Sequence, residues 1–495
     1  MSQPVADRNG DALEETLSRT AAASLSWGST SPDFRASALE LVAAGLEGAR
    51  DELVPLAARE THLSTDRLAG ELTRTTFQLR AFAGALRGRS FGDTVIDHAD
   101  PDWPSGPRPD LRVTTVALGP VLVFAGGNFP FAFSTAGGDT ASALAAGCAV
   151  MVKAHPGHPE LSSAVGTILG RCLLDAGAPH GTFAQIFAEA EARDVLADAR
   201  IAAGAFTGSL DGGRALFDIA AARSDPIPFY AEMGSVNPVF VTPGAVAARR
   251  TAIVNGFLTS MMLGAGQFCT KPGVLFVPQE SLLEHELVDA LVVQSAQAML
   301  SEQIAARYRL MLGTLGRHKA LRWLAHGKSE GLMSAPSILT TTTTELLRDP
   351  ARLLLECFGP AALVVTYDTA EELLHVAQVL PGQLTATIHG ETDELIAAQL
   401  IQLLARRVGR IVWNGWPTGV SVTHAMQHGG PYPATTASLH TSVGSAAIKR
   451  FLRPVCYQGV PDALLPHELQ ETNPNGIPRW VDGSLRIPLP TPQPR

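Results

Sequence analysis

Three residues in this chain are placed to do chemistry on a carbonyl. Cys269 lies in GAGQFCTKPG, residues 264–273. A nucleophilic thiolate needs access, small neighbours and a lowered pKa, and this frame of Gly, Ala and Gln before it and Lys-Pro-Gly after it supplies the space. A structural cysteine would normally have apolar neighbours. Glu232, in AEMGSVNPVFV (231–241), ends an apolar strand. Partial desolvation there raises a carboxylate's pKa toward general-base use, although a surface glutamate at a strand end would look the same. Asn128, in AGGNFPFAFS (125–134), follows a strand and precedes a helix. Its amide is a neutral donor able to stabilise a developing oxyanion, or it is simply a turn asparagine.

A second group of residues could hold a nucleotide. Lys153, in VMVKAHPGHP (150–159), ends the next strand. An acid is common there in dinucleotide folds. A lysine could bond the same ribose hydroxyls and would not repel a 2′-phosphate, or it could be an ordinary exposed strand-end lysine. His155 and His158 lack a third ligand and read as loop histidines, so no metal site is expected. In FTGSLDGGRALF (206–217), Gly208 and Ser209 stand between strand and helix. Their backbone amides could face a phosphate or nicotinamide, and Ser209 is equally an ordinary N-cap. Glu356, in LECFGPAALVV (355–365), precedes Phe358-Gly359-Pro360 and could hold ribose hydroxyls.

These residues need a scaffold, and the rest of the chain indicates which. With 495 residues, two or three domains are expected. A chain that is 46% hydrophobic and 17% charged is globular. The net charge of -9 and the lack of any basic run argue against nucleic-acid binding. The five cysteines form no CxxC or zinc spacing, which suggests free thiols in a reducing compartment. No Cys-His pair is evident, which argues against a cysteine hydrolase or acyltransferase working without nicotinamide. The polar N-terminus is no signal peptide. Val113–Gly138 carries no charge, but its glycines and prolines fit a strand and loop better than a membrane span.

Residues 11–90 carry helical periodicity, and 92–110 read as a loop or extended arm. From 111 to 242, apolar runs at 121–124, 149–152, 183–187, 203–206 and 227–231 alternate with helical stretches. That pattern indicates a parallel sheet covered on both faces. Residues 243–430 form a second α/β region, opened by a long helix leading to Cys269. The Pro-rich tail from Pro454 reads as irregular, its final residues disordered or lying along a partner.

Taken in order, the GNFP loop, the strand-end lysine, FTGS, Glu-x-Gly, GQxC and ExFGP resemble the aldehyde dehydrogenase superfamily over about residues 15–460. The resemblance implies an α/β fold in three parts. These are a Rossmann-type cofactor domain (1–91 and 118–242), an α/β catalytic domain (243–430) and a β oligomerisation arm with C-terminal tail (92–117 and 454–495), with 431–453 as a return segment. It implies Cys269 as nucleophile, Glu232 as base and Asn128 in the oxyanion hole with the Cys269 amide. Lys153 would hold the adenosine-side ribose and Glu356 the nicotinamide-side ribose, with Gly208, Ser209 and Phe358 beside the cofactor, which is NADP or NAD.

Within the superfamily, NFPFAFSTAGGDTASALAAGCAVMVKAHPGHP, AEMGSVNPVFVTPGA, NGWPTGV and HGGPYPATT resemble the branch containing 2,5-dioxopentanoate (α-ketoglutarate semialdehyde) dehydrogenases. A related member is the NADP-dependent fatty aldehyde dehydrogenase of luminous bacteria, so an aliphatic aldehyde is the alternative substrate. Many NAD-dependent members read K-P-x-E after the lysine. Here Ala154-His155-Pro156 follows, and without that acid a 2′-phosphate meets less repulsion. The expected partners are a small aldehyde and further copies of the chain, as a cytoplasmic homodimer or homotetramer, with neither nucleic acid nor membrane.

Overall fold

The computed structural model describes residues 8–88 and 94–488. The strands Val121–Phe124 and Val150–Lys153 are buried at every residue. Such strands belong inside a parallel sheet with both faces covered. They lie in one of five strands, in the order Phe183–Ile186, Val150–Lys153, Val121–Phe124, Ala203–Thr207 and Phe229–Glu232, all parallel. The chain starts in the middle, winds two strands to one side and then returns to the other. Its winding reverses beside Val121–Phe124, and ligands bind α/β sheets in the crevice beyond the carboxyl ends of strands at such a point.

Helices Gly138–Ala146, Pro159–Asp175, Glu189–Ala197 and Leu210–Ala221 connect these strands. The N-terminal helices Pro32–Gly48 and Thr65–Arg87 pack over the sheet through a cluster that includes Leu39, Leu79, Phe82 and Val123.

A second sheet of seven strands runs Arg322–His326, Ser337–Thr342, Ala361–Tyr367, Val274–Pro278, Val239–Val241, Gln383–His389 and Val408–Trp413. Only Arg322–His326 is antiparallel to its neighbour. Val239–Val241 pairs with strands of this second sheet. The first unit therefore ends between 232 and 239, short of the expected 242. An apolar strand carries no mark of which sheet it joins; the partners decide.

The helix Pro243–Met262 starts on a Thr242 cap that accepts from the Ala245 amide, with proline in its first turn. It kinks at Arg249 and stops at Met262, seven residues before Cys269 rather than running up to it.

The third sheet is ordered Leu452–Gln458, Leu111–Ala117, Val95–Asp97, Arg479–Val481 and Ser484–Arg486. The segment from Pro454, expected to be irregular, thus supplies strands. Pro454 stands opposite Thr115 in an edge strand, where a missing N–H costs no ladder bond. Residues 89–90 of the expected helical region, and 92–93 and 489–495 of the expected arm and tail, lie outside the described residues. No helix among the described residues is long and apolar enough to cross a membrane.

Candidate active site

The turn before Cys269 explains its small neighbours. Gly264, Ala265 and Gly266 all have positive φ, at 58°, 56° and 67°. L side chains rarely take that conformation. A Cβ on Gly266 would also lie 2.2 Å from the Gly359 carbonyl oxygen. The strained Ala265 is held by its N–H donating to Gln297 Oε1 at 2.8 Å. Gln267 braces the turn from inside, donating to the Gly264 carbonyl and accepting from the Leu300 amide, both at 3.0 Å.

After Cys269 the chain is clamped again. Asn237 Nδ2 donates to the carbonyls of Cys269 (2.7 Å) and Lys271 (2.9 Å). The buried Lys271 ammonium donates to the carbonyls of Cys357, Gly359 and Ala361 at 2.8, 3.2 and 2.6 Å. The thiol loop and the Glu356 loop are thereby tied together. Neither Asn237 nor Lys271 was singled out from the sequence, because their partners are backbone carbonyls brought close only by folding.

Glu232 ends the last strand of the first sheet and is buried. His428 Nε2 lies 2.9 Å from its Oε1, and Ser442 Oγ donates to its Oε2 at 2.7 Å. The same His428 nitrogen lies 3.5 Å from Cys269 Sγ. The reading that no Cys-His pair exists is therefore overturned. The two residues are separated by 159 positions, and only the fold joins them. The histidine of HGGPYPATT was quoted for its resemblance but given no role, and Ser442 carried no local signal.

The expected charge states are also corrected. For Glu232, burial is the largest single effect and pushes its pKa up. The attraction of His428 and the hydrogen bonds from His428, Ser442 and Cys269 outweigh it, so the carboxyl lies below its ordinary value instead of above. Cys269 is driven the other way. Burial first, then the Glu232 charge, push the thiol well above its ordinary value, where a lowered pKa was expected. The resting group is a thiol beside a carboxylate and an imidazole. Cys269, Glu232 and His428 place their ligand atoms within 4.8 Å of one another, the only such cluster of possible metal ligands found among the described residues.

Asn128 comes to the same place from the first sheet. Its Nδ2 donates to the Gln267 carbonyl at 3.0 Å, two residues before Cys269. The loop is held from the helix Thr65–Arg87. Arg67 Nη2 donates to the Asn128 carbonyl at 2.9 Å, and Glu71 Oε1 accepts from the amides of Phe131 (2.8 Å) and Ala132 (3.0 Å). Arg67, Glu71 and Arg74 share one helix face by their spacing. The charges in DRLAGELTR at that spacing, on a helix that must bury a face, are the signal the sequence reading passed over.

The nucleotide candidates lie around the crevice at the carboxyl ends of the first sheet. Lys153 ends its strand and is buried, so the exposed alternative fails. Burial lowers its pKa. Ser209 is the N-cap of Leu210–Ala221, accepting from the Gly212 amide at 3.3 Å. The Gly208 N–H donates to the Glu232 carbonyl at 3.0 Å and is not directed at a ligand. His155 and His158 lie in the loop between Val150–Lys153 and Pro159–Asp175 and stack on each other, with ring centroids 5.2 Å apart. Burial takes them down to about 3 and about 4 respectively.

From the second sheet comes Glu356, packed so closely on Gly234 that a Cβ there would lie 2.4 Å from its Oε2. Burial raises it to about 7. Phe358 is half-buried two residues on. Glycines 127 and 234, where a Cβ would strike His155 and Glu356, keep the crevice open. Together with the strand-end lysine and the Glu356 carboxyl, they suit a flat, polyhydroxylated nucleotide.

Comparison with known proteins agrees with this geometry. The model of the aldehyde dehydrogenase family matches residues 3–453. An alpha-ketoglutaric semialdehyde dehydrogenase of Acinetobacter baylyi is 41% identical over 481 residues, 96% of this chain and 91% of the relative. Alpha-ketoglutaric semialdehyde dehydrogenase 2 of Azospirillum brasilense is 44% identical, covering 91% and 88%. The crystal structure of succinic semialdehyde dehydrogenase from Streptococcus pyogenes, in complex with NADP+, superposes with a TM-score of 0.76 at 17% identity, covering 93% of this chain and 97% of that one. It shares the fold.

Proposed function

The chain belongs to the aldehyde dehydrogenase family, and from that premise we propose that it oxidises 2,5-dioxopentanoate to 2-oxoglutarate through a thioester on Cys269. The family uses NAD or NADP. The observation that carries the reading is the convergence of Cys269, Glu232 and His428, with His428 Nε2 at 2.9 Å from the carboxylate and 3.5 Å from the sulfur. The names of the two relatives supply the substrate.

The residues divide the work as follows. The Cys269 thiol gives its proton to the Glu232–His428 pair, and the sulfur adds to the aldehyde carbon. Asn128 Nδ2 releases the Gln267 carbonyl and, with the Cys269 amide, donates to the oxyanion. When bound, the nicotinamide supplies the hydride acceptor. Lys153 and Glu356 would hold the ribose hydroxyls on its two sides, with Phe358, Gly208 and Ser209 framing the crevice. The pair passes the thiol's proton to solvent; Glu232 then takes a proton from water, whose oxygen attacks the thioester, and that proton goes to the departing thiolate, freeing the acid and the thiol. A carboxylate held ionised by His428 and Ser442 is ready for that role at neutral pH.

The free edge strand Leu452–Gln458 suits pairing with a second copy, and we read the protein as a homodimer or homotetramer. Five free cysteines suit the cytoplasm.

The test is initial NAD(P)H formation at 340 nm with 2,5-dioxopentanoate, beside a C10 aldehyde and with each cofactor in turn. Higher kcat/KM for the dicarbonyl acid is expected. A preference for the long aldehyde would overturn the substrate.

A further inference from the structure

The geometry points to Arg74 as the residue that binds the far carboxylate of an anionic aldehyde, a specificity-determining role that rests on the semialdehyde reading above. Arg74 lies seven residues after Arg67 on the helix Thr65–Arg87, whose charged face meets the loop of Asn128. Among the described residues its Nη1 is buried and has no hydrogen-bond partner. Its Nη2 has only a long contact, 3.4 Å, to the Val420 carbonyl. The guanidinium sits 5.2 Å from the centre of the Phe133 ring, and that ring in turn meets His428 edge-on at 6.4 Å. One aromatic ring thus separates Arg74 from the imidazole beside the reacting sulfur.

Arg67 also has a buried Nη1 without a partner, but its Nη2 is committed to the Asn128 carbonyl and its guanidinium packs against the rings of Phe129 and Phe268 at 5.3 and 4.9 Å. Glu71 has one oxygen spent on two backbone amides. Glu71 and Glu232 both act on Arg74, yet among the described residues neither carboxylate hydrogen-bonds to its guanidinium. Burial lowers the Arg74 pKa while Glu71, Cys269 and Glu232 raise it, so the guanidinium shares the field of the reacting groups.

A buried, half-satisfied guanidinium is costly unless an anion completes it. A carboxylate does so through two parallel bonds, a geometry that a lysine cannot copy. The loop that Arg74 touches is itself fixed. Arg410 donates to the carbonyls of Pro417 (2.5 Å) and Gly419 (3.1 Å), so Val420 is held next to Arg74. An aldehyde with an acid at its other end would then lie with the acid on Arg74 and the aldehyde carbon at Cys269.

The test is the ratio of kcat/KM for 2,5-dioxopentanoate over that for pentanal, which has the same carbon count and no charge. Because both substrates report on the same folded enzyme, the ratio is insensitive to lost protein. In R74M the ratio should fall about 30-fold or more relative to the parent, as expected for truncating one partner of a buried charge pair. R74K should lie between the two, with a raised KM for the anionic substrate. A parent ratio near one would overturn the semialdehyde reading and this inference with it. A high parent ratio that R74M and R74K both retain would overturn the role of Arg74 alone.

Discussion

Two glutamates flank the cysteine loop, Glu232 buried and Glu356 half-buried, and their surroundings drive them in opposite directions. Glu232 receives a hydroxyl from Ser442, contacts His428 and interacts with Cys269, and it is held below its ordinary pKa. Glu356 is raised to about 7 because burial, aided by the Glu232 charge, outweighs the pull of Lys271, the Ser235 amide and Arg307. The ammonium nearest in its electrostatics, Lys271, has its protons directed at three carbonyls. Burial by itself does not set a carboxylate's charge; the donors left over to face it do. The first glutamate is arranged to stay ionised and take protons. The second is primed to gain donors when hydroxyls arrive.

The largest effect that could break this contrast is loss of the sulfur. Cys269→Ala should lower turnover by about 10⁴-fold or more, while a fluorescence titration still reports NAD(P)H binding. Normal turnover would remove the nucleophile from the site and leave Glu232 without its task.

Glu232→Gln comes next. It keeps the shape but cannot take a proton, so hydrolysis of the thioester should slow by about 10²–10⁴-fold. A burst of NAD(P)H followed by a slow steady state is the expected trace. A normal steady state would show that the ionised carboxylate is not the base.

His428→Gln should act on both glutamate and thiol. With the attraction and hydrogen bond of His428 gone, burial pushes the Glu232 carboxyl up. Alkylation of Cys269 by iodoacetamide at pH 7.5 should slow about tenfold, a loss within the range of a single acid–base partner. An unchanged alkylation rate would place His428 in a purely structural role.

The smallest effect is on stability, and here the two glutamates should differ in sign. A carboxyl lowered in the folded state contributes stability above its unfolded value, lost as pH falls through the folded one. Glu232 is of this kind and weakens the fold at acid pH. A carboxyl raised in the folded state does the reverse. The stability linked to Glu356 is present below pH 4.5 and is lost as pH rises toward 7. In the cofactor-free protein, Glu356→Gln should therefore have a Tm advantage that grows from pH 5 to pH 8, reaching about 2–4 °C. An advantage that does not change with pH would mean Glu356 titrates normally.

Much of this molecule could be read from its residues, for definite reasons. Apolar runs such as VLVF and AVMV, with no polar alternation, indicated strands covered on both faces, and they were found within a residue of their positions. A loop after such a strand lies at the carboxyl edge of the sheet. That is why Asn128, Lys153 and Glu232 could be placed at the crevice before any contact was known. The small residues before Cys269 were read as room for the thiol; that Gly264, Ala265 and Gly266 form a left-handed turn came only from the structure. The tail after Pro454 was misread because Leu452–Gln458 owes its ladder to Leu111–Ala117 and Arg479–Val481 owes its own to Val95–Asp97, both more than 300 residues away.

Residue types and spacing alone thus determined the parallel sheet and the positions of Asn128, Lys153 and Glu232 at or just beyond its strand ends, since each depends on the period of burial. The tertiary structure decided the rest. It brought His428 and Ser442 to Glu232 across 196 and 210 positions, and set Arg67, Glu71 and Arg74 against the Asn128 loop. It also decided the direction of each pKa, which depends on how many donors remain near a charge once water has been excluded. A residue's neighbours in sequence cannot count those donors, because most of them come from elsewhere in the chain.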